Sequence, residues 1–293
     1  MKYHLRNKDQ AENFLRMKST SNSPFVSAIM SAYNAEKYVG QAMESILNQT
    51  YKKFEFIIVD DASTDSTPRI LTDFKKKDKR IIIIQNKNNL GLTKNLNKAL
   101  KLARGKYIIR IDADDWAYPQ RFALQVGLME HHPEVVVGGS YIEVCNEKLQ
   151  TKYIRKYHLD DKSIRQHIFR YSPFAHPATI WRANILTKEL YNDRLEVSQD
   201  YELYFRVGMF GKFMNLDKPL LKLRMHNKSI SATMSDIQLK NTVLIRLGAV
   251  LYHGYQMTSF DKLYNFLQEV FIGLLPVKLR FFIFNILRRF DFY

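Results

Sequence analysis

Cysteine is nearly absent from this 293-residue chain: Cys145 is the only one. That excludes an intrachain disulfide framework and a cysteine-rich zinc site. Long apolar runs are missing as well. No stretch reaches the roughly 18–20 consecutive apolar residues that cross a bilayer, and residues 1–27 hold no apolar core of a secretory signal. The expected location is therefore the cytoplasm, or the cytoplasmic face of the inner membrane. Glycine-rich phosphate loops of the GxGxxG or GxxxxGK[ST] kind are absent, so the charge of a phosphorylated ligand has to be met by a metal ion and by Lys or Arg. Acidic residues are the minority, 29 against 45 Lys and Arg, for a net charge of +16. Such a surplus favours polyanionic partners. No arginine-rich helix or aromatic RNA-binding signature accompanies it, so nucleic acid is not the expected partner.

What is present is alternation. "FVSAIM" (25–30), "FEFIIVDD" (54–61), "RIIIIQN" (80–86), "KYIIRID" (106–112) and "EVVVGGSYIEV" (134–144) read as short apolar strands. Between them, "EKYVGQAMESILNQ" (36–49), "STDSTPRILTDFKKK" (63–77), "LTKNLNKALKLA" (92–103) and "PQRFALQVGLMEHH" (119–132) carry helical spacing and helix-start residues. Strands alternating with amphipathic helices predict right-handed βαβ units and a mostly parallel central sheet flanked by helices. Ligands on such sheets bind beyond the carboxyl ends of the strands. Three polar clusters fall at those ends: "SAYNAE", "DDASTD" and "DADD".

The sharpest of these is Asp112, Asp114 and Asp115, three carboxylates in four positions after an apolar strand. Two ionised carboxylates ~4 Å apart repel by about 4 kcal/mol at an effective dielectric near 20. A divalent cation relieves that conflict, and hard oxygen ligands suit Mg2+ or Mn2+. The competing reading is a turn or helix cap, which Asp also favours. In "IIVDDASTD", Asp60 and Asp61 are placed to accept from a ribose hydroxyl or a base N–H, whereas Ser63 and Asp65 read as structural caps. Asp200, at a helix start after Ser198, reads either as a general base or as a first-turn acid complementing the helix dipole. That dipole lowers its pKa, and burial among Tyr201, Tyr204 and Phe205 works the other way. Glu202 is expected to pair with Arg206 at i+4.

Taken together, "VSAIMSAYNAEKYVGQAMESILNQTYKKFEFIIVDDASTD", "NLGLTKNLNKAL", "GKYIIRIDADDWAYPQRF", "HPATIWR", "SQDYELYFR" and "LLKLRMHNKSIS" closely resemble the family 2 inverting glycosyltransferases of the GT-A fold. The resemblance covers residues 24–233 in the family's order and spacing. It implies a GT-A type nucleotide-binding domain there, a polar extension at 1–23, and a helical C-terminal extension at 234–293. It also implies a nucleotide-sugar donor with Mn2+ or Mg2+, and a glycan or lipid-linked acceptor. On this resemblance Ser31, Tyr33 and Asp61 contact the nucleobase, commonly uracil, and ribose. Lys94 approaches the nucleotide. Asp112, Ala113 and Asp114 match the DxD signature, with Asp112 on ribose or sugar and Asp114 on the metal. Asp200 matches the catalytic base, while Arg224 and His226 close the site around the diphosphate, with His226 a metal contact. The chain departs from the family at Ser31-Ala32, where Pro-Thr is common, and at Gln199, where an acidic residue often precedes the base.

The tail "FLQEVFIGLLPVKLRFFIFNILRRF" (266–290) mixes apolar residues with Lys278, Arg280, Arg288 and Arg289, and Pro276 breaks it. It suits an amphipathic helix lying in a membrane interface, or a helix packed on the domain or on a second subunit. Two rival functions remain at this level. A nucleotidyltransferase would want a Gly-rich basic loop after the first strand, where "SAYNAEKY" has none. A non-catalytic scaffold of the same fold would have no need to keep Asp112, Asp114 and Asp200 together.

Overall fold

The computed structural model describes residues 25–226 and 235–268. The N-terminal stretch expected to be a polar extension, and the part of the apolar tail from residue 269 on, lie outside the described residues.

The first half follows the predicted alternation. Strands β1 (Val26–Ala32), β2 (Phe54–Asp60), β3 (Ile81–Gln85) and β4 (Tyr107–Arg110) are joined by helices α1 (Val39–Leu47), α2 (Thr67–Lys77) and α3 (Leu92–Leu100). β1 pairs in parallel with β2 and β4, and β2 with β3. All seven residues of β2 are buried. The strand alternation divides them between two cores: Phe54, Phe56 and Ile58 pack on one face with Met43 and Ile46 of α1, and Ile57 and Val59 on the other with Leu96 and Ala99 of α3. A sheet covered on both faces requires apolar residues at every position, which is why these strands read as continuous runs. Lys75, Lys76 and Lys77 occupy the last turn of α2, favourably placed against the dipole.

The second half departs from the parallel expectation. After a two-residue strand β5 (Trp116–Ala117) come helix α4 (Arg121–His131), strands β6 (Val135–Cys145) and β7 (Thr151–Arg155), and helix α5 (Asp161–His167). A single 3-10 turn (His176–Ala178) leads into β8 (Ile180–Arg182), α6 (Ala183–Glu189), α7 (Gln199–Val207) and the long β9 (Lys212–Arg224). Helices α8 (Ser235–Tyr252) and α9 (Ser259–Leu267) follow. The strand order is β3-β2-β1-β4-β8-β6-β9-β5, with β7 also on β6. β8 runs antiparallel to β4 and β6, β7 antiparallel to β6, and β5 antiparallel to β9. The sheet is thus mixed, not mostly parallel throughout, because the segments joining these strands are too short or too irregular to make crossover helices each time. α4 also begins at Arg121, two residues after Pro119, whose carbonyl accepts from Thr50 N–H at 2.8 Å.

One consequence matters for function. β9 is parallel to β6, so the carboxyl ends of β1, β2, β4, β6 and β9 lie at one edge of the sheet. β5 returns directly from the end of β4 to pair with β9 at Trp116–Lys222. The aspartates between β4 and β5 are therefore held between two strand ends.

Candidate active site

The turn after β4 carries the acidic cluster. Asp112, Asp114 and Asp115 each offer a carboxylate oxygen, and these oxygens lie within 4.8 Å of one another. Each is held differently. Asp112 is gripped by Arg110 through Nη1 to Oδ2 at 2.8 Å and through a second, shorter bond from Nη2 to Oδ1. Asp115, 2% exposed, accepts the backbone N–H of Arg224 on Oδ1 at 2.9 Å, and its Oδ2 has no hydrogen-bond partner among the described residues. Asp114 Oδ2 lies 2.8 Å from Nε2 of His226. A buried carboxylate oxygen without a donor is costly unless something positive reaches it. Asp115 Oδ2, Asp114 and His226 are the donor set that a hard divalent cation fits.

Electrostatics agree with the crowding. Burial pushes the Asp112 carboxyl up to about 6, with the charge of Asp114 adding and Arg110 opposing. Burial, then Asp114 and Asp112, raise Asp115 well above the carboxylate range.

β9 supplies the opposite wall. Arg224, 3% exposed, donates Nε to the Asp114 carbonyl at 2.7 Å, Nη2 to Gln41 Oε1 at 2.8 Å, and Nη1 to the Glu147 carbonyl. Its guanidinium stacks 4.3 Å from the ring centre of Tyr38, and the ring of His226 lies 5.4 Å from the same tyrosine. Tyr38 in turn donates to Glu147 at 3.1 Å, a carboxylate that also takes Lys37 at 2.6 Å. Arg224 therefore ties the ends of β4, β6 and β9 to α1.

At the neighbouring strand ends, Asp61 organises a loop. Its Oδ1 accepts from Asn86 Nδ2 and Leu90 N–H, both at 2.8 Å, and its Oδ2 from Gly91 N–H at 2.9 Å. Gly91 has φ of 84°, a conformation glycine adopts without Cβ strain. Asn86 also bonds Asn95 at 2.7 Å, and Asn95 Nδ2 donates to Ser31 Oγ at 3.0 Å. Ser31 and Asp61 are thus joined through two asparagines that the sequence reading did not single out. Tyr33 stands at the rim, 52% exposed, and Lys94 is exposed on α3. Ser63 and Asp65 are structural, but only Asp65 serves the helix start, accepting the Thr67 N–H at 2.9 Å; Ser63 instead accepts the Asn34 N–H at 3.0 Å in the loop after β1.

Asp200 lies in the first turn of α7, next to Ser198 in left-handed backbone (φ 64°). Burial raises its pKa, outweighing the backbone N–H groups of its own turn and the charge of Arg110. Glu202 pairs with Arg206 at 2.7 Å as the spacing predicts. His176 is buried as well, and its Nε2 lies 2.8 Å from the Tyr191 hydroxyl. Burial, then Arg110, hold His176 well below the usual imidazole range, which keeps it neutral. α8 braces this region: Asn241 Nδ2 donates to the Val197 carbonyl at 3.0 Å, and Arg246 Nε to Tyr201 Oη at 3.1 Å.

Carboxylates gathered at the strand ends of a mixed α/β sheet, with a further raised aspartate on a helix beside them, lie where ligands bind on such sheets. The chain belongs to glycosyl transferase family 2, whose model matches residues 27–197. It is a glycosyltransferase. It is 35% identical over 242 residues to an uncharacterized glycosyltransferase of Haemophilus influenzae, covering 79% of this chain and 75% of that one. It is 29% identical over 266 residues to the amylovoran biosynthesis glycosyltransferase AmsE of Erwinia amylovora, covering 88% and 97%. In fold it resembles S. aureus TarS in complex with UDP-GlcNAc, at a TM-score of 0.66 and 19% identity over 82% of this chain and 70% of that one. It also resembles the mannosyltransferase PcManGT of Pyrobaculum calidifontis in complex with GDP-Man and Mn2+, at 0.60 and 17% over 89% and 76%.

Proposed function

We propose that this enzyme is an inverting glycosyltransferase of the GT-A type that moves a sugar from a UDP-sugar to a glycan or lipid-linked acceptor in cell-surface polysaccharide biosynthesis. The observation that carries the reading is the acidic cluster, three carboxylates within 4.8 Å at the edge where the strand ends meet. The nucleotide-sugar complexes named for TarS and PcManGT support it, as does the polysaccharide role in the name of AmsE.

Asp114 and His226, with Asp115, would hold Mn2+ or Mg2+, which when bound supplies Lewis-acid stabilisation of the departing diphosphate. Ser31, Tyr33 and Asp61 face the base and ribose, with Asp61 acting partly through the loop it organises. Lys94 and Arg224 carry positive charge toward the diphosphate. Asp112 takes the donor's hydroxyls, with Ala113 the middle residue of the DxD match. Asp200 accepts the proton of the acceptor hydroxyl as that oxygen attacks the anomeric carbon from the face opposite the leaving group, which gives inversion. A base working near neutral pH gains from a raised carboxylate pKa, the direction burial gives Asp200.

The catalytic domain spans residues 24–233 in this reading, with residues 234–293 as the helical extension. No described helix is long and apolar enough to cross a membrane. The extension instead makes peripheral contact with the cytoplasmic face of the inner membrane, a reading supported by Leu244, Leu247 and Leu251 of α8 and Phe260, Leu263 and Phe266 of α9, all exposed.

The deciding experiment is calorimetric titration of UDP and UDP-sugars, with and without Mn2+ or Mg2+, into wild type and Asp114→Ala. Metal-dependent binding lost in the variant supports the donor site. Binding of GDP- or dTDP-sugars alone would overturn the uracil assignment.

A further inference from the structure

Arg110, the last residue of β4, is a charged side chain on a strand whose four residues are all buried. It is itself 2% exposed, and its fork takes both oxygens of Asp112. On an extended strand, residues two apart project to the same side, so Arg110 reaches Asp112 over the backbone of Ile111 alone. A planar fork on a carboxylate fixes orientation as well as charge. The rest of the cluster is left free of it: Asp114 faces His226, and Asp115 Oδ2 has no hydrogen-bond partner among the described residues.

Arg110 is anchored from beneath. Arg121, fully buried, donates Nη2 to the Arg110 carbonyl at 2.7 Å and Nε to Gln125 at 3.0 Å. Gln125 Nε2 donates to the Ala178 carbonyl at 2.7 Å, which ties α4 to the turn before β8. The charge of Arg110 also acts on Asp115 and on Asp200. Burying two arginines here is expensive unless the geometry they enforce is needed.

We propose that Arg110 is the positioning residue of this site: by its two-point grip it holds Asp112 in one orientation, turned to accept donor hydroxyls, and leaves Asp114 and Asp115 outside the grip for the cation. The division is chemical. A carboxylate paired to a guanidinium is a hydrogen-bond acceptor for neutral hydroxyls, whereas the carboxylates outside that grip keep oxygens that a divalent ion can take. Arg110 touches neither donor nor acceptor in this scheme and acts through Asp112. The inference rests on the donor-site reading above.

The test uses the full chain as wild type, Arg110→Ala and Arg110→Lys, each checked for folding by thermal melt. Donor affinity with Mn2+ and steady-state KM and kcat are then measured with and without millimolar guanidinium or methylguanidinium. The expected result is a loss of donor affinity of about 10–100-fold in Arg110→Ala, restored in part by guanidinium and not by ammonium. Arg110→Lys keeps the charge without the fork and should lose donor affinity as well. Should Arg110→Ala not fold, Arg110→Lys carries the test alone, with an unchanged donor KM overturning the proposal. Lower melting temperature with unchanged donor KM and no guanidinium rescue would reduce Arg110 to a structural role. If wild type binds no nucleotide sugar, the donor site falls and the positioning role with it, an outcome distinct from binding in wild type without rescue in the variant.

Discussion

His226 Nε2 and Asp114 Oδ2 stand 2.8 Å apart although 112 residues separate them in the chain. The contact joins the segment after β9 to the turn after β4, so two of the three candidate metal ligands are adjacent. Asp114→Ala should abolish metal-dependent donor binding. His226→Ala should weaken it by about 10–100-fold, because the aspartates remain. Calorimetry with Mn2+ and UDP reads both, and a His226→Ala variant with wild-type affinity would make the histidine only a wall of the site.

The cluster should also report itself through pH. Asp112 is pushed up to about 6 in the fold, against about 3.9 unfolded. Between those values the native state binds more protons, so the contribution of this group to stability falls as pH rises from about 4 to about 6. A bound cation answers the ionised carboxylates. The melting-temperature gain from Mn2+ should therefore be larger near pH 7.5 than near pH 5. Equal gains at both pH values in a scanning-fluorimetry series would speak against ion binding at these carboxylates.

Asp200→Asn keeps the shape of the first turn of α7 and removes the base. Turnover should fall by about 10²–10⁴-fold with donor affinity unchanged. The assay separates this from a structural loss, since a first-turn acid that served only the dipole would leave kcat within a few-fold of wild type.

Asp61→Ala tests a residue with two duties. Its carboxylate holds the N–H groups of Leu90 and Gly91 and the amide of Asn86. Removing it leaves them without that acceptor; residues 87–90 of the loop are exposed, so water answers part of the loss and the cost is about 0.5–1.5 kcal/mol per bond. A lowered melting temperature together with weaker UDP binding is the expected pair of results. Weaker UDP binding at full stability would mean direct contact without the loop.

The sequence carried the first half of the fold because parallel strands buried on both faces are runs of apolar residues. β1 to β4 and the helices between them stand where the alternation put them. It did not carry β5, β7 or β8, which span two, five and three residues and have no periodicity long enough to read. The acidic cluster was legible because three carboxylates after an apolar strand are chemically conspicuous. Arg224 was noticed as a charge, but its bonds to Asp114, Glu147 and Gln41 depend on a pairing of β9 with β6 that no local pattern encodes. Arg110 sat in plain view in "KYIIRID", and the signal was a lone guanidinium among residues that had to be buried.

The exposed face of α8 and α9 gives the last test. Leu244, Leu247 and Leu251 fall three and four residues apart, one stripe of a helix, and all three are more than half exposed. On α9, Phe260 and Leu263 are likewise more than half exposed, with Lys262 exposed between them. From residue 237 to 268 the acid is Asp261, buried and paired to Arg170 at 2.9 Å. An apolar stripe flanked by cations suits a bilayer surface with anionic headgroups. The full chain should sediment with vesicles containing phosphatidylglycerol, weakly with phosphatidylcholine alone, and less in high salt. Replacing Leu244, Leu247 and Leu251 together by Gln should release it while UDP binding persists, since all three lie on the exposed side of α8. A chain that ignores both vesicles and instead becomes smaller by light scattering on the same substitution would assign the stripe to a second subunit.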